Sequence, residues 1–378
     1  MSAQADLDRR VPALLERARA LLKLKGGPPD KLGHSELGVA ARAVEALHAG
    51  LVGDRPLAQR GTYDDPAHLG AYLLWWWPQS YLKTRAALEL APLGLRRPRI
   101  LDLGAGPAPA ALAALDAFGG NALAVDASKL ALHQARSLGV GQTQECDLAL
   151  RAPELAGPFA QIELILAANF LLELPGAAVA HADFLERICA RALAPGGVVV
   201  LIEPALRETG RALLLLRDQL LARNAFRALA PCFTQKPCPA LVNSRDWCTA
   251  ERLWQPPPYF SQLANATGLR ADERLSYAPL VLARAAGAGA AGAGAAADWE
   301  IRPEIWRVVG VPPPEKGKRR LFLCNDSGRL PVALLDRDQR PTNLAFASLE
   351  RGDRARLTRL DPKGDGLRVG KESEVEKK

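Results

Sequence analysis

Short apolar runs alternate with amphipathic stretches between residues 97 and 284. PRILDLGAG, ALAVDAS, ELILAANFLLEL and GGVVVLIEP have the length and composition of buried strands. Helical segments such as Pro109 to Phe118 and Lys129 to Leu138 lie between them. Because alternation of this kind is typical of a parallel sheet covered by helices on both faces, the pattern predicts an α/β fold. Ligands of such sheets bind at the carboxyl ends of the strands.

The region before this alternation is predicted to be helical. Ala, Leu, Arg and Glu recur at helical spacing from Val11 to about Leu93, so residues 1–95 form a helical N-terminal region and residues 96–284 the main domain. Within AYLLWWWPQSYLKTRAAL, the three tryptophans at 75–77 either pack this region against the main domain or stack on nucleic-acid bases. Since large aromatic side chains are usually buried, we favour packing.

A change of composition follows residue 284. AAGAGAAGAGAAA, residues 285–297, has no large side chain to bury and is typical of a linker. Short β-like runs then predict a small β-rich domain over residues 298–370, followed by a polar tail at 371–378. From Trp299 onward the chain has 18 Lys and Arg against 13 Asp and Glu, which favours a contribution to nucleic-acid binding.

Composition and charge limit the kinds of binding partner that we expect. The 378 residues are 48% hydrophobic, ample for a buried core, and the net charge of +8 favours a polyanionic partner, although a soluble basic protein also fits. No run approaches the roughly 18 apolar residues of a membrane helix, and the N-terminal residues resemble no secretory or transit peptide. We therefore expect a protein of the reducing cytoplasm without a membrane partner. In that setting clustered cysteines favour metal or redox chemistry over disulfides.

The first predicted strand ends in a glycine turn. Gly104 and Gly106 allow the backbone to bend sharply and to approach a ligand closely. Asp126 ends the second strand twenty residues after Gly106, a position suited to accepting hydrogen bonds from ribose hydroxyls. Dinucleotide-binding and S-adenosylmethionine-binding domains share this spacing. A doubly wound domain that keeps the glycines only for folding is the alternative.

The motif LDLGAG, together with LAPGGVVVLIEP, resembles the corresponding motifs of the Rossmann-like class I methyltransferases rather than those of the dehydrogenases. This resemblance implies that the glycines line the methionine part of S-adenosylmethionine, that Asp126 holds the ribose, and that Asp147 lies near the adenine. The residues expected to bind the cofactor are Asp102, Gly104, Gly106, Asp126, Asp147 and Asn169.

A catalytic group is harder to assign. Many methyltransferases that modify base amino groups carry a polar residue, two prolines and an aromatic residue after the fourth strand, whereas this chain has ANFLLEL there. Nothing in that segment identifies a methyl acceptor, and neither Cys146 nor Cys189 has the setting of an activated nucleophile. We therefore name no catalytic residue.

Four other cysteines form a candidate metal site. Cys232, Cys238 and Cys248 are spaced C-x5-C-x9-C, and Cys324 follows across the linker. Four thiolates can hold either tetrahedral zinc or an iron-sulfur cluster. Structural zinc sites usually contain tight C-x2-C pairs, and none occurs here, so the wider spacing favours a cubane. The alternative is that these cysteines are small hydrophobic residues buried in a core. The surrounding Pro, Lys, Gln and Asn disfavour it, because they are poor surroundings for a buried apolar cysteine.

Taken together, these motifs resemble the methyltransferase-like small-ribosomal-subunit assembly proteins of mitochondria and a bacterial branch. The resemblance covers the tryptophan segment, LDLGAGPAPA, ANFLLELP, LAPGGVVVLIEPA, APC-x5-CPAL, the WC pair and RRLFLC. It implies a class I methyltransferase-like domain, a small C-terminal β domain, association with small-subunit ribosomal RNA, and a [4Fe-4S] cluster on Cys232, Cys238, Cys248 and Cys324. The chain departs from the family pattern at Ala108, where a glycine is common, and in its Ala/Gly insert.

Two functions remain open at this point. The chain is either an S-adenosylmethionine-dependent methyltransferase acting on small-subunit ribosomal RNA, or an assembly factor that uses the methyltransferase fold as an RNA-binding scaffold. The missing catalytic motif favours the scaffold, whereas the intact Asp102, Gly104, Gly106 and Asp126 favour retained cofactor binding. We expect an RNA-associated protein that binds S-adenosylmethionine. A radical enzyme is disfavoured, because its C-x3-C-x2-C loop is absent.

Overall fold

The computed structural model describes residues 2–51, 61–232, 234–284 and 303–378. The predicted linker at 285–297 lies outside the described residues. Within the described ranges no helix is long and apolar enough to cross a membrane. The α-helices are α1 (Ala3–Leu22), α2 (His34–Leu51), α3 (Pro66–Leu88), α4 (Pro109–Phe118), α5 (Lys129–Ser137), α6 (Ala178–Ala192), α7 (Arg207–Ala222) and α8 (Pro258–Thr267).

The strands form two separate sheets. The first sheet contains β1 (Arg99–Leu103), β2 (Asn121–Asp126), β3 (Gln142–Glu145), β4 (Ile162–Ala168), β5 (Leu193–Pro204), β6 (Phe226–Ala230), β7 (Ala250–Leu253) and β8 (Arg274–Arg284). The second contains β9 (Ile305–Gly310), β10 (Lys318–Asn325), β11 (Gly328–Leu335), β12 (Arg354–Lys363) and β13 (Gly366–Lys377).

The first sheet has the strand order β3-β2-β1-β4-β5-β8-β6, with β7 paired to β8. Strands β1 to β5 pair in parallel, and β8 runs antiparallel to both β5 and β6. The predicted α/β sheet is therefore confirmed. The chain moves outward from β1 to β3 and then crosses back to β4, so the strand order reverses between β1 and β4. Ligands of open α/β sheets bind in the crevice at such a reversal.

Helices cover both faces of this sheet, and each face has its own core. One core joins the N-terminal helices, α4, α5 and α8 to alternate strand residues such as Leu164 and Val200, and the other joins α6 and α7 to intervening residues such as Ile165 and Val199. Because successive strand side chains point to opposite faces, nearly continuous apolar strands supply both cores.

Helix α3 attaches the N-terminal region to the sheet. It begins at Pro66 because the Asp65 side chain accepts hydrogen bonds from the Ala67 and His68 N–H groups. Trp75 stacks on Phe260 of α8 with ring centroids 4.0 Å apart, and the fully buried Trp77 donates to the Pro107 carbonyl at 3.1 Å. Packing is therefore confirmed as the role of these two tryptophans. Trp76 is half-buried against the same core.

The C-terminal strands close into a barrel with the order β10-β11-β13-β12-β9. Residues such as Leu321, Val332 and Phe346 fill its core. The expected polar tail at 371–378 is wrong for all but the last residue, because residues 371–377 lie in β13. Ser373 and Val375 point inward and glutamates alternate with them, which is the period of a strand with one solvated face.

Candidate cofactor site and cysteine site

Five of the six residues expected to bind the cofactor lie at the carboxyl ends of β1, β2 and β4; we call Asp102, Gly104, Gly106, Asp126 and Asn169 the cofactor edge. Gly104 and Gly106 both have positive φ angles, +63° and +54°, which favour glycine. A Cβ at Gly104 would overlap the Phe170 ring, whereas nothing lies within 4 Å of one at Gly106. The space in the Cβ direction of Gly104 is therefore filled by Phe170, whereas the corresponding space at Gly106 is open.

Asp126 closes the glycine turn against β2. Its carboxylate accepts hydrogen bonds from Gly106 N at 2.7 Å and Ser128 N at 2.8 Å. Burial raises the pKa of Asp126, and these N–H groups oppose the rise. Since each carboxylate oxygen can accept a further hydrogen bond, Asp126 can still receive a ribose hydroxyl.

Asp102 supports the turn from beneath. It is buried, and its Oδ2 accepts a hydrogen bond from Ala111 N in the first turn of α4 at 2.9 Å. Burial raises the pKa of Asp102 to about 7; the Ala111 hydrogen bond lowers it and the Asp126 charge adds to the rise. Asp102 therefore positions the start of α4, where backbone N–H groups and the helix dipole favour an anionic group.

Asp147, the sixth expected residue, and Asn169 follow β3 and β4, which flank β2 and β1 in the sheet. Asp147 follows β3, and its Oδ1 accepts a hydrogen bond from Ala149 N at 3.1 Å. Asn169 follows β4 with a φ of +54°, and its N–H donates to the Ile202 carbonyl at 2.7 Å. Asparagine tolerates this left-handed conformation better than most residues, and the turn it makes directs Phe170 onto Gly104.

The sequence did not indicate that α3 contributes to this site. Burial raises the pKa of Tyr72 on α3 to about 12, and the charges of Asp102, Glu173 and Asp126 add to the rise. Tyr72 therefore lies near the cofactor edge, and its ring meets Tyr63 edge-on at 4.9 Å. Its only sequence signal was its place in the aromatic segment before the glycine turn.

The structure also brings the four predicted cysteine ligands together. Cys232, Cys238 and Cys248 lie in the segment after β6, and Cys324 lies on β10 of the barrel. Burial raises the pKa of Cys238 to about 12, with the charges of Cys232 and Cys248 adding to it. Burial also raises the pKa of Cys324, and negative charge on each of the other three thiols raises it further. The four side chains thus share one electrostatic environment.

Two buried arginines face these thiols. Arg307 of β9 donates from Nη1 to Cys248 Sγ at 2.9 Å and from Nη2 to the Thr249 carbonyl at 3.0 Å. Burial opposes the charged form of Arg307, yet negative charge on Cys248 and Cys232 keeps its pKa above the ordinary value. Within the described part of the chain, Arg307 has no ion pair with a carboxylate.

Arg217 of α7 is the second buried cation, and it is fully shielded from solvent. It donates to the carbonyls of Thr234 and Lys236 and pairs with Asp218. Burial opposes its charge, and negative charge on Cys232 raises its pKa. A small cavity lies between Arg217, Cys232 and Cys248. We call the four cysteines with Arg217 and Arg307 the cysteine junction.

The donor set of the cysteine junction suits an anionic group better than a set of neutral thiols. Arg217 has a partner in Asp218, whereas the buried guanidinium group of Arg307 faces the thiols, and an isolated buried charge is strongly destabilising. Four thiolates around a cubane supply negative charge there. Among the described residues, no three Cys, His, Asp or Glu side chains are arranged to hold a single metal ion. Neither the expected cluster nor zinc is thus established by this arrangement.

The sequence had indicated the cysteines but not these arginines. Both stand out only in retrospect, because each interrupts an apolar run, LLLLRDQLL or IWRVVG. A charge inside a buried helix face or a barrel strand is unusual unless it has a partner.

Polar contacts fix the barrel against the cysteine segment. Thr234 donates to Asp326 Oδ1 at 2.8 Å, and Lys236 Nζ lies 2.8 Å from Asp326 Oδ2. Arg329 of β11 pairs with Asp246. The fourth cysteine therefore reaches the other three through a specific contact between the two sheets' loops.

Comparison with known proteins gives one family match. The model of the family described as Mitochondrial small ribosomal subunit Rsm22 matches residues 67–356. No curated protein matches the chain. Among solved structures, a chain from the complex of the Haloferax volcanii Trm112 methyltransferase activator with a methyltransferase is 15% identical, over 60% of this chain and 96% of that one, with a TM-score of 0.35.

Two further solved structures are similar to the same extent. An S-adenosylmethionine-dependent methyltransferase from Thiobacillus denitrificans in complex with S-adenosyl-L-homocysteine is 15% identical, over 55% of this chain and 91% of that one, with a TM-score of 0.31. The pyocyanin biosynthetic protein PhzM is 18% identical, over 67% of this chain and 71% of that one, with a TM-score of 0.36. Since the family model spans well over half of the sequence, the chain belongs to the Mitochondrial small ribosomal subunit Rsm22 family.

Proposed function

We propose that this protein binds S-adenosylmethionine at the cofactor edge and small-subunit ribosomal RNA through its basic surface, and acts on or beside that RNA during ribosome assembly and translation. The observation that carries the cofactor part is the meeting of Asp102, Gly104, Gly106 and Asp126 where the strand order reverses. The family description supports the ribosomal part, and the net charge of +8 supports an RNA partner.

Each residue of the cofactor edge has a distinct role in this proposal. Backbone groups of Gly104 and Gly106 would line the methionine end, and Asp126 would accept the ribose hydroxyls. Asp147, which follows β3, would border the adenine, and Asn169, which follows β4, would border the methionine. Asp102 would act indirectly, by holding the first turn of α4. The buried carboxylates also suit a cofactor that carries a sulfonium and an ammonium group.

S-adenosylmethionine supplies an activated methyl group, whose transfer to a base nitrogen releases a proton and S-adenosylhomocysteine. We assign no side chain to accept that proton, because ANFLLEL carries no polar residue followed by prolines and an aromatic. A scaffold without catalysis is the second candidate function. The packing of Phe170 on Gly104 favours it, since the ring lies where the turn would otherwise be open.

Binding and catalysis can be tested separately. Titration calorimetry of the full chain with S-adenosylmethionine tests the cofactor site, with Asp126→Ala as the variant expected to lose binding. Transfer of a labelled methyl group to small ribosomal subunits then distinguishes the enzyme from the scaffold. Heat of binding with no transferred label would support the scaffold, and absence of binding at millimolar cofactor would remove the cofactor part of the proposal.

The proposal includes a [4Fe-4S] cluster held by Cys232, Cys238, Cys248 and Cys324, with structural zinc as the alternative. The buried guanidinium groups of Arg217 and Arg307 support an anionic group there. Such a group would link the barrel to the main domain, and a reducing compartment such as the bacterial cytoplasm would keep its ligands available.

Anaerobic purification with iron, sulfide and zinc analysis tests the metal. About four irons and four sulfides per chain are expected for a cubane. Cys324→Ser should lose them, whereas Cys189→Ser, which changes a buried cysteine of the α6 core, is the matched control. One zinc and no iron would select the alternative, and a metal content unchanged in Cys324→Ser would contradict both assignments.

A further inference from the structure

The barrel has the strand connectivity of an OB-fold. Numbered from the first to the fifth strand, β9 to β13 close in the order one-two-three-five-four, with strands three and five parallel. OB-folds bind oligonucleotides on the face of strands two and three, bordered by the loops between strands one and two and between strands four and five. In this chain that face is β10 and β11, and the loops are residues 311–317 and 364–365.

Phe322 occupies the centre of this face. Leu321 and Leu323 of β10 are buried in the barrel, so Phe322 between them points outward and is half-buried. Its cross-strand partners are Gly310 on β9 and Pro331 on β11. Neither neighbour covers the ring with a long side chain, and a Cβ at Gly310 would lie 3.2 Å from the ring. The Phe322 ring therefore packs against Gly310 and remains partly exposed on the outer barrel surface.

A second glycine, on β13, adds another residue without a side chain to this part of the sheet. Gly366 of β13 lies beside Pro331, and a Cβ there would overlap the Pro331 carbonyl. Small residues thus occur on both sides of Phe322 across the sheet. Gly310 ends β9 and Gly366 begins β13, and at Gly366 it is the Pro331 backbone that approaches closely. Bases of single-stranded nucleic acid stack on aromatic side chains of this kind without requiring a particular sequence.

Cations surround the ring. The guanidinium group of Arg329 lies 5.1 Å from the Phe322 ring centroid, while its charge pairs with Asp246 of the cysteine segment. Arg320 points outward two residues before Phe322. Arg320 and Lys318 share Glu315, at 3.2 and 2.7 Å.

The rim of this face is basic overall. Two acidic residues, Glu315 and Asp365 of the bordering loops, accompany Lys316, Lys318 and Arg320. A surface with an accessible aromatic ring and a net positive rim complements a stacked base with its phosphates.

We propose that the β10–β11 face of the barrel binds single-stranded RNA, with Phe322 as the stacking platform for one base and Lys318 and Arg320 beside the phosphates. This inference rests on the proposed function for its RNA partner and assigns the surface that recognises it. Cys324 follows Phe322 by two residues on the same outer face, so the bound strand lies next to the cysteine junction.

The test measures binding of the full chain to a fluorescently labelled 12-nucleotide uridine RNA and to a duplex of the same length by anisotropy. Phe322→Ala and Phe322→Leu should weaken single-strand binding about tenfold, because both lack the ring, whereas Phe322→Trp should retain it. Leu344→Ala, which removes an exposed apolar side chain elsewhere on the barrel, is the matched control and should bind as the unchanged chain does.

Phe322→Leu provides the test if Phe322→Ala unfolds the barrel. Circular dichroism checks the fold of each variant. Unchanged affinity in Phe322→Leu would overturn the proposal, as would equal affinity for duplex and single strand. Loss of ribosomal-subunit binding with unchanged RNA affinity would assign the face to a protein partner and also overturn it. Failure of the unchanged chain to bind small subunits would instead contradict the proposed function.

Discussion

The cofactor edge and the cysteine junction carry opposite imbalances of buried charge. At the cofactor edge, Asp102 and Asp126 are carboxyl groups whose pKa values are raised by burial. At the cysteine junction, Arg217 and Arg307 are buried guanidinium groups beside thiols. A buried charge requires a complement, so the carboxyl groups of the first region favour a cationic group beside them, and the guanidinium group of Arg307 in the second favours an anionic one. The charge left over in each region is thus more informative about its ligand than the fold is.

The largest expected effect tests the charge at the cysteine junction. Arg307→Met should lower the free energy of unfolding of the metal-loaded protein by about 4 kcal/mol. The anionic group would then stay buried without the cation that compensates its charge. In the metal-free protein the loss should fall below about 1 kcal/mol, since the guanidinium group then faces protonated thiols. Urea unfolding of both forms measures the difference.

Arg356→Met is the control for this comparison. Arg356 is a half-exposed residue of β12 whose nearest carboxylate, on Glu304, is 3.8 Å away, so its removal should change stability little in either form. Equal losses for Arg307→Met with and without metal would contradict the proposed anionic occupant.

The next effect tests the charge at the cofactor edge. The pKa of Asp102 is about 7 in the folded chain and 3.8 ordinarily, so between pH 4 and 7 the folded chain retains a proton that the unfolded chain has lost. Stability from this group should therefore fall as pH rises through that window, by roughly 1 kcal/mol per pH unit, and level off above pH 7. Asp102→Asn should remove this slope, because its amide stays neutral and still accepts the Ala111 N–H.

Urea midpoints from pH 4.5 to 7.5 provide the measurement. Asp126 is present in both proteins, so its titration contributes to both stability curves, and the difference between the curves reports Asp102 together with its coupling to Asp126. If the free energy of unfolding changes with pH in the same way for both proteins, Asp102 titrates near the ordinary pKa of an aspartate. The imbalance of buried charge assigned to the cofactor edge would then be absent.

A smaller effect separates the two glycines of the turn. Gly104→Ala should destabilise the chain by about 3 kcal/mol, because the strain of a positive φ adds to overlap with the Phe170 ring. Gly106→Ala, with open space around its Cβ, should lose only about 1 kcal/mol. The double variant Gly104→Ala with Phe170→Ala should destabilise less than the sum of the single changes. Additive losses in thermal melts would show that Phe170 does not fill this space.

The smallest effect concerns the surface of the junction. Lys236→Ala removes an exposed ion pair with Asp326 and should lower stability by about 0.5 kcal/mol, because exposed pairs contribute little. Thr234 keeps its hydrogen bond to Asp326 in this variant. A loss above about 2 kcal/mol by urea unfolding would mean that surface contacts, and not the buried arginines, hold the two parts together.

The sequence predicted those parts of the molecule that depend on local spacing. Strand length, the glycine turn and the position of Asp126 follow from residues close together in the chain, and so does the gathering of strand ends at one edge. The four cysteines were recognised because their residue type and number are rare. Phe170 against Gly104 was missed, because that contact joins two strand ends that only the sheet brings together.

The remaining differences have the same physical origin. The burial of Arg307 becomes understandable only when the thiols are in place, since its hydrogen-bond acceptors, Cys248 and Thr249, are distant in the chain, and Arg217, although it pairs with the adjacent Asp218, also donates to the Thr234 and Lys236 carbonyls. The end of β13 looked like a polar tail because the outer face of a small barrel is solvated. Residues 373 and 375 kept the alternation, but two inward positions are too short a pattern to identify a strand.

The separation of Cys324 from the other three cysteines has a consequence for biogenesis. Three thiols come from the segment after β6, and the fourth arrives only when β10 has taken its place in the barrel. If the proposed metal group is present, a chain with an unformed barrel would offer an incomplete ligand set, so metal delivery to all four positions would act as a quality check on maturation. Only molecules that have finished folding in both parts would leave that step loaded.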